Sequence, residues 1–177
     1  MLQKLINEDT TDDNSNVSGV AIKGCVLSPT RELAIQTYKV TKDLARFTSN
    51  FGTSKTSKTN NSHNVVLLVG GESMEKQFEN LFKSFNNNNQ SIKRNDKIVV
   101  STPGRLIHIL AEVNNSKNNT GNLVHLSSVS TLILDEADRL FELGFQQQLT
   151  QILDMSYNTQ RQTMLVSATM PTGNNIY

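Results

Sequence analysis

The feature that most constrains this chain is a repeat of form. Short apolar runs alternate with segments whose apolar residues recur at helical spacing. A strand over Ile22 to Ser28 contains Cys25-Val26-Leu27, stops at Pro29, and precedes a helix over Thr30 to Thr48 (Leu33, Ala34, Tyr38, Val40, Leu44, Phe47). Val65 to Val69 closes at Gly70-Gly71, and Met74 to Phe85 is amphipathic. Ile98-Val99-Val100 precedes a helix over Gly104 to Val113. Thr131 to Leu134 leads into helical segments from Ala137 to about Asp154, interrupted at Gly144, and Thr163 to Val166 ends in Ser167-Ala168-Thr169. This alternation predicts an α/β fold of βαβ units, with a parallel sheet and helices on both faces. Right-handed crossovers bring every strand-to-helix turn to one edge of that sheet. In open α/β sheets that edge is where ligands bind.

Polar tracts near 49–64, 86–96 and 114–122 separate the units and are rich in Asn, Ser and Thr. Such tracts cannot build a core, so they read as insertions at the opposite ends of the repeats. Met1 to Ile6 has helical spacing but is too short to nucleate a helix alone. It reads as the tail of a longer helix, and Glu8 to Ser18 as a polar loop, so 1–19 lead into a domain over 20–177. A length of 177 residues suits one domain. Lys+Arg 17 against Asp+Glu 16 leaves a formal net charge of +1, which does not suggest a polybasic nucleic-acid tail, so any such site must be local. Cys25 is the lone cysteine, which excludes an internal disulfide and a cysteine-built zinc site. No apolar run approaches the roughly 18 residues of a membrane span, and the first residues lack a secretory pattern. Composition reads as soluble and intracellular.

The chemistry-bearing residues fall at the turns. Leu134-Asp135-Glu136-Ala137-Asp138 places three carboxylates within four residues where an apolar run ends. They read either as a ligand site at the strand's C-terminal edge or as a helix start. In the second reading Asp135 is the N-cap, with Glu136 and Asp138 in the first turn. Ser28-Pro29-Thr30-Arg31-Glu32-Leu33 and Thr102-Pro103-Gly104-Arg105-Leu106 share another pattern. Ser28 and Thr102 suit N-caps, and the prolines suit the first helical position. The arginines are odd, because a cation in the first turn opposes the helix dipole unless an anion faces it. They read as two clamps for a phosphate backbone, or as exposed arginines on ordinary helix starts. Gly70-Gly71 offers backbone N–H groups at close approach, or is only a turn. Ser167 and Thr169 can bond a nearby carboxylate such as Asp138, or cap the turn before Pro171.

Gly52-Thr53-Ser54-Lys55-Thr56 superficially matches a phosphate-binding loop. It lacks the glycine before the lysine and has no strand in front of it, and no segment here reads G-x-x-x-x-G-K-[ST]. His63, His108 and His125 lack ligand spacing.

Taken in order, the rim residues resemble the motifs of the DEAD-box RNA helicases. Pro29-Thr30-Arg31-Glu32-Leu33-Ala34 resembles motif Ia, Gly70-Gly71 the GG motif, and Thr102-Pro103-Gly104-Arg105 motif Ib. Asp135-Glu136-Ala137-Asp138 resembles the naming motif, and Ser167-Ala168-Thr169 motif III. The likeness runs from about Val20 to Pro171, interrupted by the polar tracts. Phe141 to Gln146 with Gln148-Leu149, and Ser28 before Pro29, are similar to the nucleolar subfamily acting in large ribosomal subunit assembly.

The resemblance implies a RecA-like (P-loop NTPase type) fold, ATP and Mg²⁺ as cofactors, and RNA as partner. The RNA would be pre-ribosomal, and the location the nucleus and nucleolus. Asp135 would hold the Mg²⁺ of bound ATP, largely through water. Glu136 would activate the attacking water. Asp138 would bond Ser167 and Thr169 and couple nucleotide state to domain closure. Pro29, Thr30, Arg31, Gly70, Gly71, Thr102, Gly104 and Arg105 would form the surface that grips an RNA backbone with little sequence preference. The family also carries a phosphate-binding loop and a second RecA-like domain that the 177 residues do not spell out. The chain therefore resembles a first RecA-like domain cut just after that loop, N-terminally truncated and inactive alone. The alternative is a non-catalytic RNA-binding or assembly protein that retains the fold.

Overall fold

The computed structural model describes residues 19–46, 64–82, 96–115 and 123–169. Met1 to Ile6, the Gly52 to Thr56 loop, His63 and most of the polar tracts lie outside the described residues. The strands are β1 (Gly19–Leu27), β2 (Val65–Leu68), β3 (Asp96–Ser101), β4 (Leu123–His125), β5 (Thr131–Asp135) and β6 (Gln162–Val166). The helices are α1 (Arg31–Arg46), α2 (Met74–Phe82), α3 (Pro103–Asn115), α4 (Ala137–Glu142) and α5 (Gln146–Met155). Every strand pairing is parallel, in the order β2-β3-β1-β5-β6. β4 pairs with the start of β1, and β5 with its end.

Period-2 alternation sorts the strand residues into two cores, one on each face. Leu132 and Leu134 of β5, with Val66 and Leu68 of β2, pack in the larger cluster with Leu81 of α2, Leu106 and Ile109 of α3, Leu140 of α4 and Leu149 of α5. Ile133, Val65, Val69 and Val100 turn the other way, against Ala34, Tyr38 and Ala45 of α1. β1 breaks the alternation. Val20 and Ile22, then Cys25 and Leu27, all join the larger cluster. The register against β3 slips between Ile22 and Gly24, so a bulge resets which residues face inward. Each fully buried Leu or Ile contributes roughly 1.5–3 kcal/mol. The sheet interior therefore holds the fold, and the polar turns are free to serve other ends.

Three features of this frame differ from the sequence reading. β4 falls where the sequence predicts no element, because three residues carry too little periodicity to register, and pairing with Gly19–Ala21 forms the strand. The cap of α1 is Thr30 rather than Ser28, since the Leu33 N–H donates to Thr30 Oγ1 at 3.3 Å. Ser28 is fully buried two residues earlier. Asp135 does not cap α4; it is the last residue of β5, and Glu136 is the cap.

Two buried ionisable groups lie in the sheet. Burial pushes the Cys25 thiol up to about 12, so it stays protonated and unreactive. Lys97 of β3 is fully buried, and loss of water pulls its ammonium down to about 8. Among the described residues no helix is long and apolar enough to cross a membrane.

Candidate functional site

Parallel strands deliver their C-terminal turns to one rim, and the sheet order divides those turns into two groups. The turns after β2, β3 and β1 adjoin one another and carry the glycines and arginines. Those after β5 and β6 carry the carboxylates and hydroxyls.

Backbone hydrogen bonds lace the first group together. The Ser28 N–H donates to Ser101 O at 2.9 Å, and the Thr102 N–H to Leu68 O at 3.2 Å. The Ser101 hydroxyl also donates to Leu68 O, at 2.7 Å. Pro103 opens α3, and the Leu106 N–H reaches Thr102 O at 3.2 Å. Both arginines bend toward the Gly70–Glu72 turn. Arg31, the first residue of α1, donates through Nη1 to Gly70 O and through Nη2 to Glu72 Oε1 at 3.2 Å. Arg105 donates through Nη2 to Glu72 O at 2.8 Å and through Nε to Gln77 Oε1 at 3.1 Å. The partner demanded by a cation at a helix start is thus supplied by the chain itself, a carboxylate for Arg31 and neutral oxygens for Arg105. Gly71 has φ +77°, and a Cβ there would stand 2.8 Å from Arg31 Nη1. The left-handed backbone is what favours glycine here, and a Cβ would in addition push the end of the Arg31 side chain aside.

In the second group, Asp135 ends β5 and Glu136 adopts the left-handed region at φ 48°, ψ 55°. Glu136 alone among the described non-glycine residues has positive φ. Left-handed backbone at a non-glycine residue costs about 1–2 kcal/mol and gathers at functional sites. The Glu136 carboxylate lies 3.7 Å from Arg139 Nε, an exposed pair of little energetic weight. Asp138 accepts from the Thr169 hydroxyl across the rim and from the Arg139 N–H at 2.9 Å. The Thr169 hydroxyl, with a smaller contribution from Ser167, holds the Asp138 carboxyl below its usual range. The single proton of Ser167 is itself directed to Thr169 O at 2.6 Å.

A side chain of α1 reaches across to the second group. Thr37 of α1 donates to Asp135 Oδ2 at 3.2 Å, so the helix that begins with Arg31 also touches the first carboxylate. Pro29, Thr30, Arg31, Gly70, Gly71, Thr102, Gly104 and Arg105 all lie on the first group of turns, and Asp135, Glu136, Asp138, Ser167 and Thr169 on the second.

The sequence alone does not single out Thr37, Glu72 or Gln77. Gln77 leaves a signal, because it shares the inward stripe of α2 with Leu81 and is a polar residue at a buried position. Nothing marks Glu72 or Thr37 before the turns are brought together. The residues present fit a magnesium ion that arrives with a nucleotide. No group of three or more His, Cys, Asp or Glu able to hold a metal occurs among the described residues. Mg²⁺ needs only one or two carboxylates when water and phosphate complete its shell, and Asp135 offers one.

Comparison with known proteins decides the family. The DEAD/DEAH box helicase family profile matches residues 1–176. The chain belongs to the DEAD/DEAH box helicases. This helicase chain is 42% identical over 171 residues to "ATP-dependent RNA helicase ddx54" of Dictyostelium discoideum, covering 97% of the chain and 12% of that protein. It is 40% identical over 157 residues to "ATP-dependent RNA helicase DBP10" of Saccharomyces cerevisiae, covering 89% and 12%. The chain therefore spans about an eighth of the length of these relatives. Among solved structures, the DEAD-box helicase Mss116 bound to ssRNA and UDP-BeF matches with a TM-score of 0.62 at 28% identity, covering 95% of the helicase chain and 28% of that chain. A DEAD box protein from Methanococcus jannaschii matches with a TM-score of 0.56 at 30% identity, covering 87% and 33%. The parallel sheet with its flanking helices is the RecA-like fold of these helicases.

Proposed function

We propose that this chain is part of the first RecA-like domain of an ATP-dependent RNA helicase that couples ATP hydrolysis to RNA binding and local strand separation. What carries the reading is the meeting of two groups of turns on one rim, arginines beside glycines and carboxylates beside hydroxyls, joined by the bond from Thr37 to Asp135. Arg31 and Arg105 bind an RNA backbone together with Pro29, Thr30, Gly70, Gly71, Thr102 and Gly104. Two clamps on phosphate give affinity that falls with salt and little preference among bases. Asp135 would hold the Mg²⁺ that arrives with ATP, and the ion would offset charge on the phosphates. Glu136, fixed by its left-handed backbone, orients the attacking water as general base. Asp138, bonded to Thr169 and close to Ser167, links the β5 and β6 turns so that a change at one is felt at the other.

A narrower proposal is that the substrate is pre-ribosomal RNA and that the protein works in the nucleolus; it rests on the resemblance of Phe141 to Gln146 with Gln148-Leu149, and of Ser28 before Pro29, to the nucleolar subfamily. The test has two arms. RNA binding by the 177-residue chain should fall with salt and weaken when Arg31 and Arg105 are both changed to Gln. The chain alone should show negligible ATP hydrolysis, having no G-x-x-x-x-G-K-[ST] segment to cradle the phosphates. Joined to a segment that supplies one and to a second RecA-like domain, it should hydrolyse ATP, and Glu136→Gln should abolish turnover while sparing ATP binding. Unchanged turnover in that variant would sink the catalytic assignment and favour a non-catalytic RNA-binding protein.

A further inference from the structure

Arg31 and Arg105 do not wait on the rim as free cations. Both are held by a single short segment, Gly70 to Gln77, and Glu72 is common to the two. Its carboxylate takes Arg31 Nη2 at 3.2 Å, and its carbonyl takes Arg105 Nη2 at 2.8 Å. Gln77 completes the arrangement from below. It is 2% exposed, its Oε1 accepts from Arg105 Nε at 3.1 Å, and its Nε2 donates to Val69 O at 2.8 Å. Gln77 therefore ties the Arg105 guanidinium to the backbone at the end of β2.

The two residues have different chemistry toward an incoming phosphate. Glu72 is an exposed anion already lying on Arg31, so a phosphate must either displace it or add beside it. Arg31 can exchange this one bond while keeping the other, because Nη1 on Gly70 O does not involve the carboxylate. Gln77 is neutral and buried, offers nothing to phosphate, and is left with an unpaired acceptor if Arg105 swings away. Leaving a buried amide oxygen unpaired is unfavourable, so Arg105 is fixed where Arg31 is exchangeable.

We propose that Glu72 and Gln77 are positioning residues of the RNA interface. Glu72 occupies Arg31 in place of a phosphate and releases it when RNA binds, and Gln77 holds Arg105 at the glycine turn. The inference rests on the reading of Arg31 and Arg105 as backbone clamps. It deepens that reading by naming the residues that set how readily each clamp engages.

The test is a pair of double-mutant cycles on binding of a short fluorescein-labelled single-stranded oligouridylate to the 177-residue chain, read by anisotropy across a salt series. Glu72→Gln should tighten binding about three- to fivefold at low salt, the scale of one exposed ion pair, and the gain should disappear in an Arg31→Gln background. No gain, or a gain that persists without Arg31, overturns the role of Glu72, since persistence marks a general effect of charge. Gln77→Met should weaken binding in the wild-type background and cause no further loss beside Arg105→Gln. Gln77→Glu, which keeps an acceptor for Arg105 Nε, should retain more affinity than Gln77→Met. The exposed Glu72 variant keeps the proposal testable if the buried Gln77 variants fail to fold. If Arg31→Gln and Arg105→Gln each leave affinity unchanged, the RNA reading itself falls, and the inference with it.

Discussion

Thr37 Oγ1 lies 3.2 Å from Asp135 Oδ2, a hydrogen bond between residues 98 apart in sequence. It joins the helix that starts at Arg31 to the strand that ends at the first carboxylate. The Thr37 carbonyl is also engaged, accepting from the Thr41 hydroxyl at 2.8 Å, so this face of α1 is bonded both along the helix and across to β5.

Thr37→Val keeps the branched shape and removes the donor. It should lower stability by about 1 kcal/mol, the net worth of one partly buried hydrogen bond, and Thr37→Ser should recover most of the loss. Urea denaturation of the three chains decides this. Equal midpoints for Val and Thr would mean that the bond contributes nothing.

The glycines of the rim should separate by substitution. Gly71→Ala meets both a left-handed φ and an Arg31 Nη1 atom only 2.8 Å from the new Cβ. It should destabilise by about 1–2 kcal/mol. Gly104 lies in the first turn of α3, and a Cβ added there would meet nothing within 4 Å. Gly104→Ala should hold or raise stability, by up to about 1 kcal/mol, because alanine is the better helix former. If RNA approaches Gly104 closely, the same variant loses RNA affinity while melting no earlier. Thermal melts beside anisotropy separate these effects.

Much of this architecture is legible in the sequence because it follows from periodicity. Leu132, Ile133 and Leu134 announce a buried strand, and the inward stripes of α1 to α3 announce helices on both faces of a parallel sheet. Gly144 does break the helical stretch after Ala137, at φ +80°. The rim is legible as a set of turns, since Pro and Gly punctuate them, but not as a network. Ser28 suits a cap by its residue type and yet is buried, because residues that suit a cap also suit a tight turn, and Thr30 takes the role through its backbone position. Asp135 suits a cap for the same reason, yet β5 runs one residue further, where pairing with Val166 of β6 extends the strand. Contacts such as Arg31 with Glu72 and Thr37 with Asp135 join residues far apart in sequence, and no local pattern encodes them.

Ser28 supplies a sharper stability test. Its N–H is satisfied by Ser101 O at 2.9 Å, while its Oγ is buried with no hydrogen-bond partner among the described residues. A buried hydroxyl with no partner carries its desolvation penalty uncompensated. Ser28→Ala removes that penalty and little volume, so it should stabilise the chain by between zero and about 1 kcal/mol. Chemical denaturation measures it, and a loss beyond about 1 kcal/mol would show that the hydroxyl has a partner worth keeping.

The bond across the carboxylate turns should respond to pH. The Thr169 hydroxyl first, then Ser167 and the Arg139 N–H, favour the ionised form of Asp138 and lower its pKa in the folded chain. A carboxyl depressed by folding contributes stability above its unfolded pKa of about 3.9, and that contribution fades as pH falls through the lower, folded value. At neutral pH the contribution is fully present, and the change is confined to the acid side. Thr169→Val removes the largest cause and should move the Asp138 titration toward the ordinary carboxylate range. Ser167→Ala should move it in the same direction by less. Both shifts are read by ¹³C NMR of the Asp138 carboxyl carbon, a local probe that does not depend on the small energy of an exposed contact. An unmoved titration in Thr169→Val would mean that the hydroxyl does not hold Asp138 in solution, and the proposed link between the β5 and β6 turns would lose its main side-chain bond.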